Sequence, residues 1–244
     1  MKAEISIVIP CLKSEKKRFK ADIFGYGIRS HIERGTVLLT VKDFRDKFAG
    51  RKADIQGAGG HFSVLVPVVD IDGQAHILYE LRSPYIDRQP GEVCFPGGEI
   101  ETGESRRDAV LRETWEEIGI KAGDIDIIAE LDTYHPASGI VIYPFLAEVK
   151  KEVLSDLVLA PAEVAEVFLV PVSFLEQDPY RYVHYLKNDL GEDFDYSKIG
   201  LTEHTYDWRP MRSEIISWEF EGKYIWGLTA QITDWTLKQL TIKN

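Results

Sequence analysis

Two short stretches constrain this chain more than anything else in it: Gly98-Glu99-Ile100-Glu101-Thr102-Gly103-Glu104 and, seven residues later, Arg112-Glu113-Thr114-Trp115-Glu116-Glu117-Ile118-Gly119-Ile120. They put six acidic residues and three glycines into one loop-and-helix unit. At about 100° of rotation per residue, Glu113, Glu116 and Glu117 stand at i, i+3 and i+4 and share a narrow arc of the helix surface. Leu111, Trp115 and Ile118 are expected on roughly the opposite side, as a packing stripe. Like charges at this spacing cost an isolated helix a few tenths of a kcal/mol, so the cluster calls for a counter-ion. Hard carboxylate oxygens, with no Cys or His interleaved, suit Mg²⁺ or Mn²⁺ rather than zinc.

The competing reading is an ordinary solvated face, with Arg112 pairing Glu116 and Asp108 pairing Arg112 at i, i+4. The surroundings weigh against it. Ser105 and Asp108 form a candidate N-terminal cap and capping box, and Gly119 is placed to end the helix in the left-handed conformation. Ahead of the helix, Phe95-Pro96-Gly97-Gly98 is a rigid turn followed by two residues without side chains, which allows close approach of the backbone to a ligand. Glycine loop, capped helix and clustered carboxylates together are far more specific than any one part.

Residues Gly98 to Ile120 resemble the Nudix box: Gly, five residues, Glu, seven residues, Arg-Glu-hydrophobic-any-Glu-Glu-any-Gly-hydrophobic. The departure is Thr114, where an aliphatic residue is usual, a change expected to touch packing alone. The resemblance implies that Glu113, Glu116 and Glu117 are the metal ligands, helped by backbone carbonyls of the Gly97-Gly98 turn. It also implies that Arg112 holds a glutamate in place and that Glu104 supports the loop or a metal-associated water.

Arg82-Ser83-Pro84-Tyr85-Ile86-Asp87-Arg88-Gln89-Pro90-Gly91-Glu92-Val93-Cys94-Phe95-Pro96-Gly97-Gly98 is similar to the signature that precedes the box in Nudix coenzyme A pyrophosphatases. Arg82, Ser83, Gly91, Val93, Phe95, Pro96, Gly97 and Gly98 match. Ile86, Asp87 and Gln89 depart from the usual Leu, Arg and His, and Asp87 removes a cation that the 3′-phosphate of coenzyme A would want; Arg88, next door, is a candidate substitute. The segments Tyr224 to Ala230, Ala162 to Val167 and Pro171 to Leu175 also look like that subfamily. The likeness covers about residues 42 to 244, leaving 1 to 41 as an N-terminal extension of unassigned role.

The chain has 244 residues, 44% of them hydrophobic, enough for one substantial core. Two cysteines, Cys11 and Cys94, exclude a disulfide scaffold and point to a reducing, cytoplasmic compartment. Cys94 reads as a packed small residue rather than a nucleophile. Nothing near the N-terminus reads as a signal peptide, and no apolar run is long enough to span a bilayer, so no membrane partner is expected. A formal net charge of -11 argues against nucleic acid. It also means that bound metal and local arginines must reverse the field for an anionic substrate.

Along the chain, Ile5 to Leu12 is apolar and Lys13 to Lys20 is a basic cluster read as a solvated terminal segment. Val41 to Arg51 has helical spacing, with Phe44, Phe48 and Ala49 on one side. Phe62 to Val69 and His76 to Leu81 read as strands joined by the Asp70-Ile71-Asp72-Gly73 turn. Further strands are expected at Ile125 to Leu131, Ile140 to Val149 and Val164 to Val170, with a short helix at Ser173 to Gln177. Glu214 to Phe220 and Lys223 to Trp226 read as a hairpin across Glu221-Gly222. Thr229 to Leu240 reads as an amphipathic helix burying Ile232, Trp235, Leu237 and Leu240. Strands flanking one central helix, with another at the end, predict an α/β chain with helices covering a mixed β-sheet, and the Nudix-type α/β/α sandwich fits.

The resemblance implies attack of water on a phosphorus of a nucleotide diphosphate, with metal ions against the phosphate oxygens. Glu163 and Glu166 are base candidates only because they lie in a resembling segment after the box; a surface role is the preferred reading. Tyr134, Tyr143 and Phe145 could stack on adenine, although the last two alternate along a strand as core residues do. His135 is equally a loop hydrogen-bonder. Arg82 is the preferred phosphate contact, against a rim salt bridge. Three functions follow: coenzyme A diphosphatase, releasing 4′-phosphopantetheine and adenosine 3′,5′-bisphosphate; hydrolase of ADP-ribose or a dinucleotide; and a non-catalytic nucleotide-binding module, disfavoured because every box glutamate is present. A homodimer is compatible with all three.

Overall fold

The computed structural model describes residues 39–187, 191, 193–202 and 208–241. The expectations for Ile5 to Leu12, Lys13 to Lys20 and Cys11 lie outside them. The chain divides into two compact units, Met1–Ala53 and Asp54–Asn244. In the first, helix α1 (Val41–Phe48) begins at Thr40, whose side chain and that of Asp43 form a reciprocal capping box, and Phe44 stacks on Phe48 with centroids 6.4 Å apart.

The second unit is built on a seven-stranded mixed sheet. Strands β1 (His61–Ile71) and β2 (Gln74–Arg82) form a hairpin whose turn residues Asp72 and Gly73 have φ of 53° and 84°, the pairing that matches strand twist. Strands β3 (Val93–Cys94) and β4 (Gly97–Glu99) are short pieces on either side of Phe95-Pro96; β3 pairs β2 and β4 pairs β1, both antiparallel. Helix α2 (Arg106–Ile118) follows, and then β5 (Ile125–Glu130) and β6 (Val141–Val149), the latter parallel to β1. Strand β7 (Val164–Pro171) adds to β2, and α3 (Val172–Leu175) is a single turn. Strands β8 (Tyr180–Leu186), β9 (Met211–Phe220) and β10 (Lys223–Trp226) make a separate three-stranded antiparallel sheet, and α4 (Gly227–Thr241) closes the unit.

Strand alternation divides the interior in two. Leu65, Val69, Leu78, Tyr143 and Phe145 face α2 and pack on Val110 and Ile118. Val66, Ile77, Tyr79 and Ile142 face the other way, onto Ile216, Trp218 and Ile225 of the small sheet and Ile232 of α4. Tyr143 and Phe145 are therefore core. This is the expected fold class: helices over both faces of a mixed sheet.

Three packing expectations are corrected. Trp115 is 55% exposed, and the buried face of α2 is instead Ala109, Val110, Thr114, Glu117 and Ile118. That face lies about 100° round the helix from the predicted stripe, because the sheet accepts small and β-branched side chains close to its surface. Trp235 and Leu240 of α4 are exposed; that helix buries Thr229, Ala230, Ile232, Thr233 and Thr236 instead. The threonines satisfy their hydroxyls locally, Thr233 on the Thr229 carbonyl at 2.9 Å and Thr236 on that of Ile232 at 2.8 Å. Strand β8 was not anticipated.

Candidate active site

The predicted loop-and-helix unit is capped by Ser105 and Gly119 as its residues suggest, but without the reciprocal capping box, since the Asp108 carboxylate takes the Ser105 hydroxyl rather than its N–H. Ser105 accepts from the Asp108 N–H at 3.1 Å and donates its own hydroxyl to the Asp108 carboxylate at 2.6 Å, while Gly119 ends α2 at φ 77°. Beyond it, the Val158 and Ala160 N–H groups donate to the carbonyls of Ile118 and Glu117 at 3.1 and 2.8 Å, so the final carbonyls of the helix are not left orphaned. Thr114 donates to the Val110 carbonyl at 2.7 Å, so its hydroxyl makes no demand on the surrounding core.

Of the two glycines ahead of the helix, Gly97 is a steric necessity and Gly98 makes room for a carboxylate. Gly97 has φ 147°, and a Cβ there would collide with the Ser63 carbonyl and the Val64 Cα of β1. A Cβ on Gly98 would occupy the Glu113 carboxylate. Strand β4 therefore lies between β1 and α2 at a distance only glycine permits, and the Gly97 N–H reaches Glu117 Oε2 at 2.8 Å.

Arg112 organises the outer carboxylates. It grips Glu104 bidentately, Nε to Oε1 at 2.9 Å and Nη2 to Oε2 at 3.0 Å, and its Nη1 also donates to Glu113 at 2.8 Å and Glu116 at 3.0 Å. Nη2 further reaches the Glu99 carbonyl at 3.2 Å, and Glu104 accepts the Glu101 N–H at 3.1 Å, which ties the loop to the helix. The Arg112 hydrogen bonds hold the Glu104 carboxyl below the usual range.

Glu117 stands apart. Although one turn from Glu113, it is buried at 5% exposure, on the packing side of the helix. Burial pushes its carboxyl up, the Gly97 N–H opposes this, and the charges of Glu113 and Glu163 add to it. Burial also raises Glu113, against the pull of Arg112. Beneath Glu117 lies a further acid, Glu80 of β2, driven well above the ordinary range by burial first and by the Glu117 charge second. Sequence reading missed Glu80; its only signal was a charge inside an otherwise apolar strand pattern.

A cavity of about 410 Å³ gathers Glu113, Glu117, Gly97, Gly98, Arg82 and Arg88. Glu163 joins them, its loop held by the Ser83 N–H donating to the Glu163 carbonyl at 2.7 Å. Its apolar walls include Phe62, Ile142, Trp226 and Ile232. Arg112, Glu104 and Glu116 do not line it. A larger cleft of about 700 Å³ runs along Trp115, Gly119 and Val158; Glu116 is the sole predicted site residue there, and it offers no arginine. Glu166 turns away to Lys223 at 3.0 Å, and His135 bonds the Pro136 carbonyl at 3.2 Å.

The donor set fits a hard divalent cation. Two half- to fully-buried carboxylates and a third on a neighbouring loop crowd one cavity without enough positive charge to balance them, and all are oxygen ligands. Among the described residues, however, no three acidic, His or Cys side chains converge as a ready-made metal centre. Arg112 occupies Glu113 and Glu116 instead.

Residues 60–186 match the NUDIX domain family model. Nudix hydrolase 3 of Caenorhabditis elegans is 37% identical over 120 residues, 48% of this chain and 50% of that protein. The peroxisomal coenzyme A diphosphatase NUDT7 of Mus musculus is 30% identical over 158 residues, 59% and 62%. The chain thus spans about half to three-fifths of these two relatives. The mitochondrial coenzyme A diphosphatase NUDT8 of Mus musculus is 31% identical over 201 residues, 80% of this chain and 85% of that protein. Among the described residues no helix is long and apolar enough to cross a membrane.

Proposed function

Because this chain belongs to the NUDIX family, we propose that it hydrolyses the diphosphate linkage of a nucleotide derivative, with coenzyme A or an acyl-coenzyme A as substrate and 4′-phosphopantetheine (or its acyl form) and adenosine 3′,5′-bisphosphate as products. One observation carries the reading. The 410 Å³ cavity brings Glu113, Glu117 and Glu163 together with Arg82, Arg88 and the Gly97-Gly98 backbone, acids for a cation beside bases for phosphate.

Glu113 and Glu117 would hold Mg²⁺ or Mn²⁺, with Glu116 joining once released from Arg112. The cation, when bound, neutralises phosphate charge and makes water a better nucleophile. Arg112 keeps Glu104 and Glu113 in register and so fixes where the acids sit. Arg82, at the end of β2, contacts the diphosphate, and Arg88 is the cation offered to the 3′-phosphate in place of the base lost at Asp87. Glu163, an exposed residue that lines the cavity, would take the proton of the attacking water. The cysteine usage fits a reducing, cytoplasmic setting.

The test is turnover of coenzyme A with excess Mg²⁺ or Mn²⁺ and product identification, alongside dephospho-coenzyme A and ADP-ribose. Glu117→Gln is expected to cut turnover by orders of magnitude; normal turnover in that variant refutes the site. Equal or faster rates without the 3′-phosphate favour ADP-ribose or a dinucleotide, the reading that Asp87 supports. Tight ligand binding without hydrolysis in excess Mg²⁺ would leave a non-catalytic nucleotide-binding module.

A further inference from the structure

Glu80 is at odds with its surroundings. It lies on β2 between β3 and β7, across from Cys94 on one side and Val167 on the other, and is 1% exposed. Its alternation along β2 with Leu78 and Arg82 points it at α2, where Leu78 packs in the core. A carboxylate in the middle of a sheet is costly unless paired and hydrogen-bonded. Glu80 is neither. Its Oε2 has only the Cys94 thiol at 3.9 Å, and its Oε1 has no hydrogen-bond partner among the described residues. Arg82, two residues along, also keeps its buried Nε without a hydrogen-bond partner, although its charge acts on Glu80. An apolar residue would pack better at this position; a buried acid with an unsatisfied oxygen calls for a missing counter-charge.

The charged groups acting on Glu80 are Glu117 first, then Arg82 and Glu163, three residues that line the cavity. We propose that Glu80 is a positioning residue for the cation end of the site: a buried carboxylate behind Glu117 that strengthens the hold of Glu117 on a divalent cation without touching the substrate. The cation supplies the positive field that the Glu80 oxygen lacks, and the Glu80 charge deepens the well in which the cation sits. Outer-shell carboxylates of this kind typically change metal affinity by about 10–100-fold. The role rests on the reading that Glu117 holds the cation.

The experiment is a Mn²⁺ titration of the full chain without substrate, following free Mn²⁺ by electron paramagnetic resonance, with thermal unfolding of the metal-free protein in parallel. Glu80→Gln keeps the shape and removes the charge. It is expected to raise the Mn²⁺ Kd by about 10–100-fold, while the metal-free Tm stays level or rises because an uncompensated buried acid is gone. A Kd within twofold of the unaltered protein overturns the proposal, whatever happens to Tm. If the glutamine variant does not fold, Glu80→Met, which fills similar space without a polar atom, is held to the same Mn²⁺ criterion. Glu117→Gln separates the two readings. If it abolishes Mn²⁺ binding and Glu80→Gln does not weaken it, the Glu80 role alone fails. If the unaltered chain binds no Mn²⁺, or binds it without Glu117, both fail.

Discussion

Adjacent glycines should give opposite phenotypes. At Gly97 an added Cβ meets backbone, the Ser63 carbonyl oxygen and Val64 Cα, and the residue holds φ 147°, a region that side chains rarely enter. Neither obstacle can rotate away. Strand β4 must shift off β1, with about 1–3 kcal/mol for overpacking and about 1–3 kcal/mol for the strained backbone. At about 2–4 °C per kcal/mol for a chain of this size, Gly97→Ala should lower Tm by roughly 10 °C. At Gly98 the obstacle is the Glu113 carboxylate, the far end of a flexible side chain. It can swing out and give up its hydrogen bond to Arg112, worth about 0.5–1.5 kcal/mol before solvent screening. Gly98→Ala should therefore stay within about 6 °C of the parent. It should still lose at least about 10–100-fold in metal-dependent turnover, because Glu113 has been evicted from the cavity. Differential scanning fluorimetry and a diphosphatase assay on the same preparations decide the matter. Parental turnover in Gly98→Ala would remove Glu113 from the cation site, and equal thermal damage in both variants would refute the steric account.

Two stability predictions lie away from the cavity. Tyr79 is fully buried and its hydroxyl meets Thr233 Oγ1 at 2.9 Å, so Thr233→Val should strand a buried phenol and cost about 1–3 kcal/mol in a chemical denaturation midpoint, with unchanged m-value. Asp234 is pushed up by burial, but its hydrogen bonds to Arg181 and Lys238 outweigh this and hold its carboxyl below the usual range. A depressed folded pKa means that the stabilisation is full above the unfolded value of about 3.9 and is lost as pH falls through the lower folded one. Asp234→Asn should accordingly reduce Tm at neutral pH and flatten its fall on acidification; a parental acid limb in the variant would exclude Asp234 as its source.

What could be read from the chain was whatever is decided locally. Ser105 and Gly119 bound α2 through hydrogen bonds spanning a few residues, and Asp72-Gly73 and Glu221-Gly222 set their hairpins through their own φ values, so composition and spacing sufficed. Which face of α2 would be buried was not local. An amphipathic pattern finds Trp115 and Leu111, but the sheet, pressed close by the Gly97-Gly98 strand, receives Val110, Thr114 and Glu117. The same close approach splits the carboxylate arc: Glu117 goes inward to the Gly97 N–H, whereas Glu113 and Glu116 stay with Arg112. Helical spacing alone makes these three glutamates equivalent. The fold makes one of them a buried acid whose neighbours are other acids, and that asymmetry comes from long-range contacts. Glu80 belongs to the same class: a lone charge on a strand carries no local message until β2 is laid beneath α2. Two buried acids acting on each other across a sheet–helix boundary, one with an unsatisfied oxygen, are driven toward their protonated forms unless a cation accompanies them, so the feature least legible in the chain is also the one that bears most directly on how the cavity would take a cation.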